Sequence, residues 1–91
     1  MPKAIYRNEY EVFLTLLKAR RIDAGLTQQD CSKALGRPQS FMSDVERGIR
    51  RLDIVQIYDI CQVLGCDLVE FVQEFATGVR LMDAALADPL S

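Results

Sequence analysis

The segment GRPQSFMSDVERG, residues 36–48, predicts one short helix bounded by two glycines. Gly36 suits the left-handed residue that ends a preceding helix, and Pro38 suits the first turn of the next one. Apolar residues at positions 41, 42 and 45 recur at the i, i+1, i+4 spacing of a helix side that faces a core. The opposite side is polar and carries Gln39, Ser40, Ser43, Asp44 and Arg47.

The polar side of this helix offers amide, hydroxyl, carboxylate and guanidinium groups, which hydrogen-bond base edges and phosphates. In an isolated helix the simpler interpretation would be a solvent-exposed surface. Here a second predicted helix ends at Gly36, only a few residues earlier. That short helix-turn-helix spacing presents a recognition helix to the major groove of DNA. The preceding helix therefore favours the interpretation that this segment is a DNA-recognition helix.

Three sequence motifs carry a resemblance to the Cro/CI-type helix-turn-helix family, also called the XRE family. They are LTQQ at residues 26–29, ALGRPQSF at 34–41 and VERG at 45–48, and the similarity spans roughly residues 10–75. The resemblance implies an all-α fold, a lambda-repressor-like bundle of five short helices. It also implies a transcriptional regulator that binds DNA through its helix-turn-helix.

Capping signals and glycines divide the chain into five predicted helices. The predicted capping pairs are Asn8 with Glu11, Thr27 with Asp30, Asp53 with Gln56, and Asp67 with Glu70. Each helix is predicted to end at a glycine: Gly25, Gly36, Gly48, Gly65 and Gly78. The predicted core comprises Leu14, Leu17, Leu35, Met42, Val45, Ile57, Ile60, Leu64 and Phe71, and Ile54 and Val69 are placed with the apolar residues of the fourth and fifth helices.

The C-terminal end of the chain leaves two alternatives open. Residues 79–91 either continue the fifth helix or form a sixth, and Asp88-Pro89 is expected to stop it. We therefore assign residues 1–78 to the helix-turn-helix domain and residues 79–91 to a tail that extends a dimerisation surface. The dimer contact is predicted to use Val72, Phe75, Val79 and Met82.

Length and composition limit the classes of function. The 91 residues suffice for one domain, no run of about eighteen apolar residues predicts a membrane span, and the start lacks the apolar region of a secretory signal. We therefore expect a cytoplasmic protein. Three cysteines without a histidine give no disulfide framework, zinc site or partnered nucleophile, so we expect no enzyme activity, metal or cofactor.

The net charge of −2 is unevenly distributed along the chain. Between residues 26 and 51, five basic and three acidic residues give a net charge of +2, whereas the remaining six basic and ten acidic residues give −4. The basic excess thus coincides with the predicted helix-turn-helix. This asymmetry supports a polyanionic partner without requiring one.

The resemblance also implies a structural ion pair between Arg21 and Glu46, placed beneath the recognition helix and fixing its tilt. The alternative is two unrelated surface charges, which would contribute under about 1 kcal/mol. Gln28 begins the second predicted helix, where its amide and the backbone N–H groups suit a phosphate. The family uses a glutamine at this position in that way.

Base reading is assigned to the exposed side of the third predicted helix, with Gln39 and Ser40 in its first turn. Asp44 departs from the family, which more often has a basic or amide residue there; it either accepts a bond from cytosine N4 or lies unpaired near phosphates. The residues predicted to contact DNA are Gln28, Arg37, Gln39, Ser40, Ser43, Asp44, Arg47, Arg50 and Arg51.

Two functions remain open at this point. The first is a sequence-specific DNA-binding transcriptional regulator, acting as a homodimer because one short recognition helix contacts too few bases. The second is a protein-interaction module, such as an antitoxin-like or partner-binding subunit, that keeps the fold with little DNA binding. No sequence motif identifies the operator, the regulated genes or a small-molecule effector.

Overall fold

Five helices joined by short turns make up the part of the chain that the computed structural model describes, residues 8–87. They are α1 (Asn8–Asp23), α2 (Gln28–Ala34), α3 (Phe41–Glu46), α4 (Ile54–Leu64) and α5 (Leu68–Ala87). No strand occurs in this range. The predicted all-α fold is therefore confirmed. The expected stop at Asp88-Pro89 lies outside the described residues.

Capping hydrogen bonds begin three of the helices where the sequence predicts them. At α2, the Thr27 hydroxyl accepts from the Asp30 N–H at 2.9 Å, and the Asp30 carboxylate accepts from the Thr27 N–H at 3.1 Å. Asp53 and Gln56 form the same reciprocal box at α4. At α5, the Asp67 carboxylate accepts from the backbone N–H of residue 70 at 3.1 Å. These bonds satisfy helix N–H groups that have no partner within the helix.

Three predicted helix boundaries were wrong. Asn8 already lies in α1 and does not precede it. Gln39 and Ser40 lie in the turn before α3, which begins only at Phe41. Gly78 lies inside α5, which continues to Ala87, so the alternative of a continued fifth helix is the one adopted within the described residues.

The core lies where the five helices meet. It contains seven of the nine predicted residues, whereas Leu35 and Ile57 are half-buried and pack against it. Phe13, Phe41, Cys31 and Cys61 complete the buried apolar set. Ile54 was wrongly predicted as buried: it lies in the first turn of α4 and is exposed, and Val69 in the first turn of α5 is exposed as well.

α1 and α5 pack side by side in opposite directions. Arg20 near the end of α1 forms an ion pair with Glu74 at 2.6 Å, and Val12 near its start faces Gly78. Phe75 is half-buried, with its ring edge-on to that of Phe13 at 6.5 Å between centroids.

Met82 is likewise half-buried and lines a groove against the outer side of α1. Phe75 and Met82 therefore face the protein's own first helix. A row of apolar residues also runs along α5: Val69 and Val72 are exposed, and Ala76 and Val79 are half-buried.

Candidate nucleic-acid interface

The turn between α2 and α3 is held by backbone hydrogen bonds. Gly36 has a φ of 68°, a left-handed conformation that non-glycine residues rarely adopt. The Arg37 N–H then donates to the Ser32 carbonyl at 2.9 Å, and the Phe41 N–H donates to the Pro38 carbonyl at 2.9 Å. The chain therefore reverses direction within a few residues, and α3 begins in a fixed position relative to α2.

A buried side-chain bond joins the two helices at their crossing. The Ser32 hydroxyl accepts a hydrogen bond from the Met42 backbone N–H at 3.0 Å, and both residues are fully buried. Met42 belongs to the first turn of α3, where backbone N–H groups lack partners within the helix. Ser32 thus supplies a cap to α3 from a neighbouring helix.

Arg21 and Glu46 form a bidentate pair beneath α3. The Arg21 Nε donates to Glu46 Oε2 at 2.6 Å and its Nη2 donates to Oε1 at 3.1 Å, while its Nη1 donates to the Leu26 carbonyl at 2.7 Å. The two side chains are only 9% and 4% exposed. The hydrogen bond to Glu46 raises the pKa of the Arg21 guanidinium against the opposing effect of burial. This is the arrangement that the family resemblance implies.

Gln28 extends this pair to the start of α2. Its side-chain nitrogen donates to Glu46 Oε1 at 2.9 Å, so one of its two amide N–H groups is used inside the protein. Gln28 was predicted from the sequence only as a phosphate ligand. Gln28 is the first residue of α2 and Glu46 is the last residue of α3. Their contact therefore also links the start of α2 to the end of α3.

A shallow polar depression lies between the starts of α2 and α3. Its lining residues carry hydroxyl and amide groups: Thr27, Gln28, Gln29, Gln39, Ser40 and Ser43. Four of these six were predicted site residues, whereas Thr27 and Gln29 were not. Gln29 follows Gln28 in the first turn of α2. Its place beside a predicted site residue was the signal in the sequence that could have identified it.

Asp44 is paired with an arginine of its own chain in the protein without DNA. Its carboxylate accepts a hydrogen bond from Arg47 Nη2 at 3.0 Å, one helical turn later, so its negative charge already has a partner. The Arg47 side chain remains 62% exposed. Whether Asp44 meets a cytosine or lies unpaired near phosphates in the DNA complex stays a prediction, and the contact with Arg47 is a third partner that the sequence did not indicate.

The remaining three predicted arginines separate into two locations. Arg37 and Arg50 both contact the ring of Phe41, the first residue of α3, with their guanidinium carbons 5.0 and 5.1 Å from its centroid. Arg51 instead lies over the ring of Tyr10 in α1, at 4.4 Å. Arg37 and Arg50 therefore lie beside α3, whereas Arg51 lies at the edge of an apolar groove of about 450 Å³.

That groove lies between α1, the start of α4 and α5. Apart from Glu9 and Arg51 its walls are aromatic and aliphatic, and they include Tyr10, Phe13, Ile54, Ile57, Phe71, Val72 and Phe75. Within residues 8–84, no group of three or more carboxylate and thiol side chains could hold a metal ion. None of the described helices combines the length and the apolar character needed to cross a membrane.

The sequence profile of a family described as "Helix-turn-helix domain" matches residues 13–73. The chain is 36% identical over 52 residues to an uncharacterized HTH-type transcriptional regulator, y4dJ, of Sinorhizobium fredii (strain NBRC 101917 / NGR234). That alignment covers 57% of this chain and 68% of the regulator.

Solved structures show the same architecture. An XRE-family like protein from Pseudomonas syringae pv. tomato str. DC3000 superposes with a TM-score of 0.72 at 38% identity, over 76% of this chain and 84% of that protein. The clp gene regulator ClgR from Corynebacterium glutamicum gives 0.73 at 23% identity, over 87% and 84%. The restriction-modification controller protein C.Esp1396I gives 0.73 at 22% identity, over 81% and 97%. These last two proteins share the fold.

Proposed function

Since this chain belongs to the XRE-type helix-turn-helix transcriptional regulators, a family of DNA-binding proteins, we propose that it regulates transcription as a homodimer on a two-fold-symmetric operator. In this proposal α3 lies in the major groove. The observation that carries it is the polar depression between α2 and α3, whose walls are amides and hydroxyls that face solvent. Such groups bond base edges and phosphates without adding negative charge.

Base recognition is assigned to the turn before α3 and its first residues. A glutamine can bond an adenine bidentately, and a serine hydroxyl can bond more than one base, so Gln39, Ser40 and Ser43 are the proposed reading residues. Gln28 has a second amide N–H, which we assign to a phosphate. The bidentate pair between Arg21 and Glu46 supports this reading because it fixes the depth and tilt of the six-residue α3.

Dimerisation is assigned to the row of apolar residues along α5: Val69, Val72, Ala76 and Val79, which we call the α5 seam. Their spacing of three, four and three residues is that of the seam of two packed helices. Val69 and Val72 are 63% and 44% exposed in the single chain, which is unusual for a contiguous row of apolar side chains. Two seams packed about a two-fold axis would set the two α3 helices about 34 Å apart, one turn of B-DNA.

The test of DNA reading combines selection and titration. Bound sequences are selected from a random duplex library, and affinity is then measured for the selected duplex and a random duplex over a range of salt concentrations. We expect affinity for both duplexes to fall steeply with salt. Gln39→Ala should remove roughly 1–3 kcal/mol of the preference for the selected duplex and leave random binding unchanged.

A control outside the proposed dimer surface keeps this test specific. Leu81→Ala, on the exposed side of α5 away from the seam, should change neither affinity. If the library yields no preferred sequence and salt has little effect, the regulator proposal fails. The protein-interaction function would then lead, because the apolar groove beside Tyr10 and Val72 offers a surface for a partner protein.

A further inference from the structure

Phe41 joins the two loops that flank α3. It is 5% exposed, and the guanidinium groups of Arg37 and Arg50 both lie about 5 Å from its ring centroid, at 5.0 and 5.1 Å. Arg37 precedes α3 in the chain and Arg50 follows it, so one buried ring contacts a cation from each of the two flanking loops. Stacking on an aromatic face suits the planar guanidinium and attracts its positive charge.

The backbones of both arginines are also anchored. The Arg37 N–H donates to the Ser32 carbonyl at 2.9 Å, and the Arg50 N–H donates to the Asp44 carbonyl at 3.2 Å. Each side chain therefore starts from a hydrogen-bonded backbone and ends against a buried ring. Because both ends are restrained, less rotamer freedom remains to be lost when the guanidinium groups bind a ligand.

The charges of Arg37 and Arg50 are not neutralised by carboxylates. Within residues 8–84 neither of them forms an ion pair, and both are exposed. Arg20, Arg21 and Arg47 differ, since each is paired with a carboxylate. Two like charges held beside one ring repel each other, and an anion placed against both would remove that repulsion.

From these contacts we propose that Arg37 and Arg50 form one phosphate clamp on the DNA backbone beside the base-reading depression, with Phe41 as its positioning residue. This inference rests on the proposed function, because the anion is the phosphate backbone of the duplex that α3 reads. The clamp contacts no base. Its effect is to fix the register of α3 along the groove for any sequence, as backbone contacts do in protein–DNA complexes.

The first experiment measures salt dependence. Affinity for the selected and the random duplex is titrated at several salt concentrations for the wild type, Arg37→Ala, Arg50→Ala and the double variant. Each single change should weaken binding to both duplexes by roughly threefold to tenfold and reduce the salt slope by about one. The matched control is Arg80→Ala, which removes one exposed positive charge from α5 and should change neither quantity.

The second experiment separates positioning from folding. Phe41→Leu keeps an apolar side chain at the start of α3 but removes the ring. We expect it to weaken binding several-fold when Arg37 and Arg50 are present and to have no further effect in the double variant. A merely structural role for Phe41 would weaken binding equally in both backgrounds, and circular dichroism verifies that each variant is folded.

The possible failures are distinguishable. If the wild type binds duplex DNA with steep salt dependence but the double variant keeps the same slope, the clamp is wrong and DNA binding stands. If Phe41→Leu has equal effects in the two backgrounds, the ring does not position the arginines, and that part of the proposal is overturned. If the wild type does not bind duplex DNA, the clamp and the proposed function are overturned together.

Discussion

Glu46 is the residue on which the geometry of the reading surface depends most. Its two carboxylate oxygens accept from Arg21 and Gln28, and Arg21 in turn reaches the Leu26 carbonyl. The carboxylate thus connects α1, the loop before α2, α2 itself and the end of α3. Removing one partner of such a buried pair leaves the other charge without compensation, which costs much more than the pair contributes in total.

We expect Glu46→Ala to lower the free energy of unfolding by about 3–5 kcal/mol, because Arg21 would keep its charge in a buried position. Urea denaturation followed by circular dichroism measures this. Glu74→Ala is the matched control, since the Arg20–Glu74 pair is exposed and should contribute under about 1 kcal/mol. Equal losses for the two variants would contradict a buried, geometry-setting role for Glu46.

Asp44→Ala tests the pair that Asp44 makes with Arg47. Without its carboxylate partner, Arg47 gains a free positive charge next to α3. We therefore expect tighter binding to selected and random duplexes alike, and a salt slope that is steeper by about one. A loss of preference at one base pair, with random binding unchanged, would instead mean that Asp44 leaves Arg47 to accept a bond from cytosine.

The three cysteines should differ in reactivity. Cys31 and Cys61 are fully buried and Cys66 is half-buried. Burial, together with a hydrogen bond to Cys66, raises the pKa of Cys61 to about 12, and burial also raises the pKa of Cys31. Because the thiolate is the reactive form, iodoacetamide at pH 8 should label Cys66 alone in the folded protein.

The same pKa shifts give a sign for the effect of alkaline pH. A thiol whose folded pKa lies above its unfolded value stabilises the folded protein less as pH rises past the unfolded value of about 8.5.

Peptide mapping by mass spectrometry, with and without denaturant, locates the iodoacetamide labels. Labelling of Cys61 as fast as Cys66 in the folded protein would contradict the buried position of Cys61.

At the scale of secondary-structure elements, the packing of α1 on α5 depends on Gly78. A Cβ added there would lie 2.7 Å from Val12 Cγ1, closer than carbon atoms pack. Alanine is favoured over glycine in a helix interior by about 1 kcal/mol, but valine is stiff about χ1 and cannot easily move away. The absence of a side chain at Gly78 is what allows the two helices to approach.

We expect Gly78→Ala to lower the free energy of unfolding by about 1–2 kcal/mol, because the overpacked contact outweighs the gain in helix propensity. In a Val12→Ala background the same substitution should instead raise it by up to about 1 kcal/mol. Urea denaturation of the four proteins in this cycle gives both values. Stabilisation by Gly78→Ala in the wild-type background would show that Val12 can turn aside.

Gly78 also shows why helix ends are only partly predictable from sequence. The four other glycines have positive φ values and stand at or just beyond helix ends, as predicted. Gly78 is the same residue type, yet glycine is needed there because of contact with Val12, sixty-six positions earlier in the chain. Local signals such as the Thr27 and Asp53 capping boxes predicted their elements correctly because every partner lies within three residues.

At the scale of the whole molecule, the proposed dimer depends on the side of α5 that the bundle leaves exposed. We expect Val72→Lys to shift the protein to monomer in sedimentation experiments, because a charge at the centre of the α5 seam would lose its hydration on pairing. Helicity should be retained, since Val72 is partly exposed.

Leu81→Lys is the matched control for this experiment, because Leu81 is exposed on α5 outside the seam. It should leave the oligomeric state unchanged. Affinity for the selected duplex should fall for Val72→Lys, which separates the two half-site contacts, and persist for Leu81→Lys. Wild-type protein that stays monomeric at high micromolar concentration would contradict the proposed dimer.

Most residues of the candidate site could be predicted from the sequence, whereas the positions of their side chains could be predicted only in part. Helical periodicity predicted that Gln39, Ser40 and Ser43 share a surface, and they do line one depression although Gln39 and Ser40 lie in the turn before α3. The Arg21–Glu46 pair was expected only because of the family resemblance. The directions of Arg50 and Arg51 could not be predicted, because loop residues have no periodicity. Adjacent in sequence, they contact rings on different helices.

The hydrogen bond between Ser32 and Met42 gives the reading unit its own spectroscopic reporter. Amides in the first turn of a helix usually exchange their hydrogen with solvent quickly, because fraying exposes them. The Met42 amide is buried and bonded to a side chain of another helix, so it can exchange only when α2 and α3 separate. The exchange rate of this single amide in deuterium oxide therefore reports every event that separates α2 from α3, whether local opening of the helix-turn-helix or global unfolding.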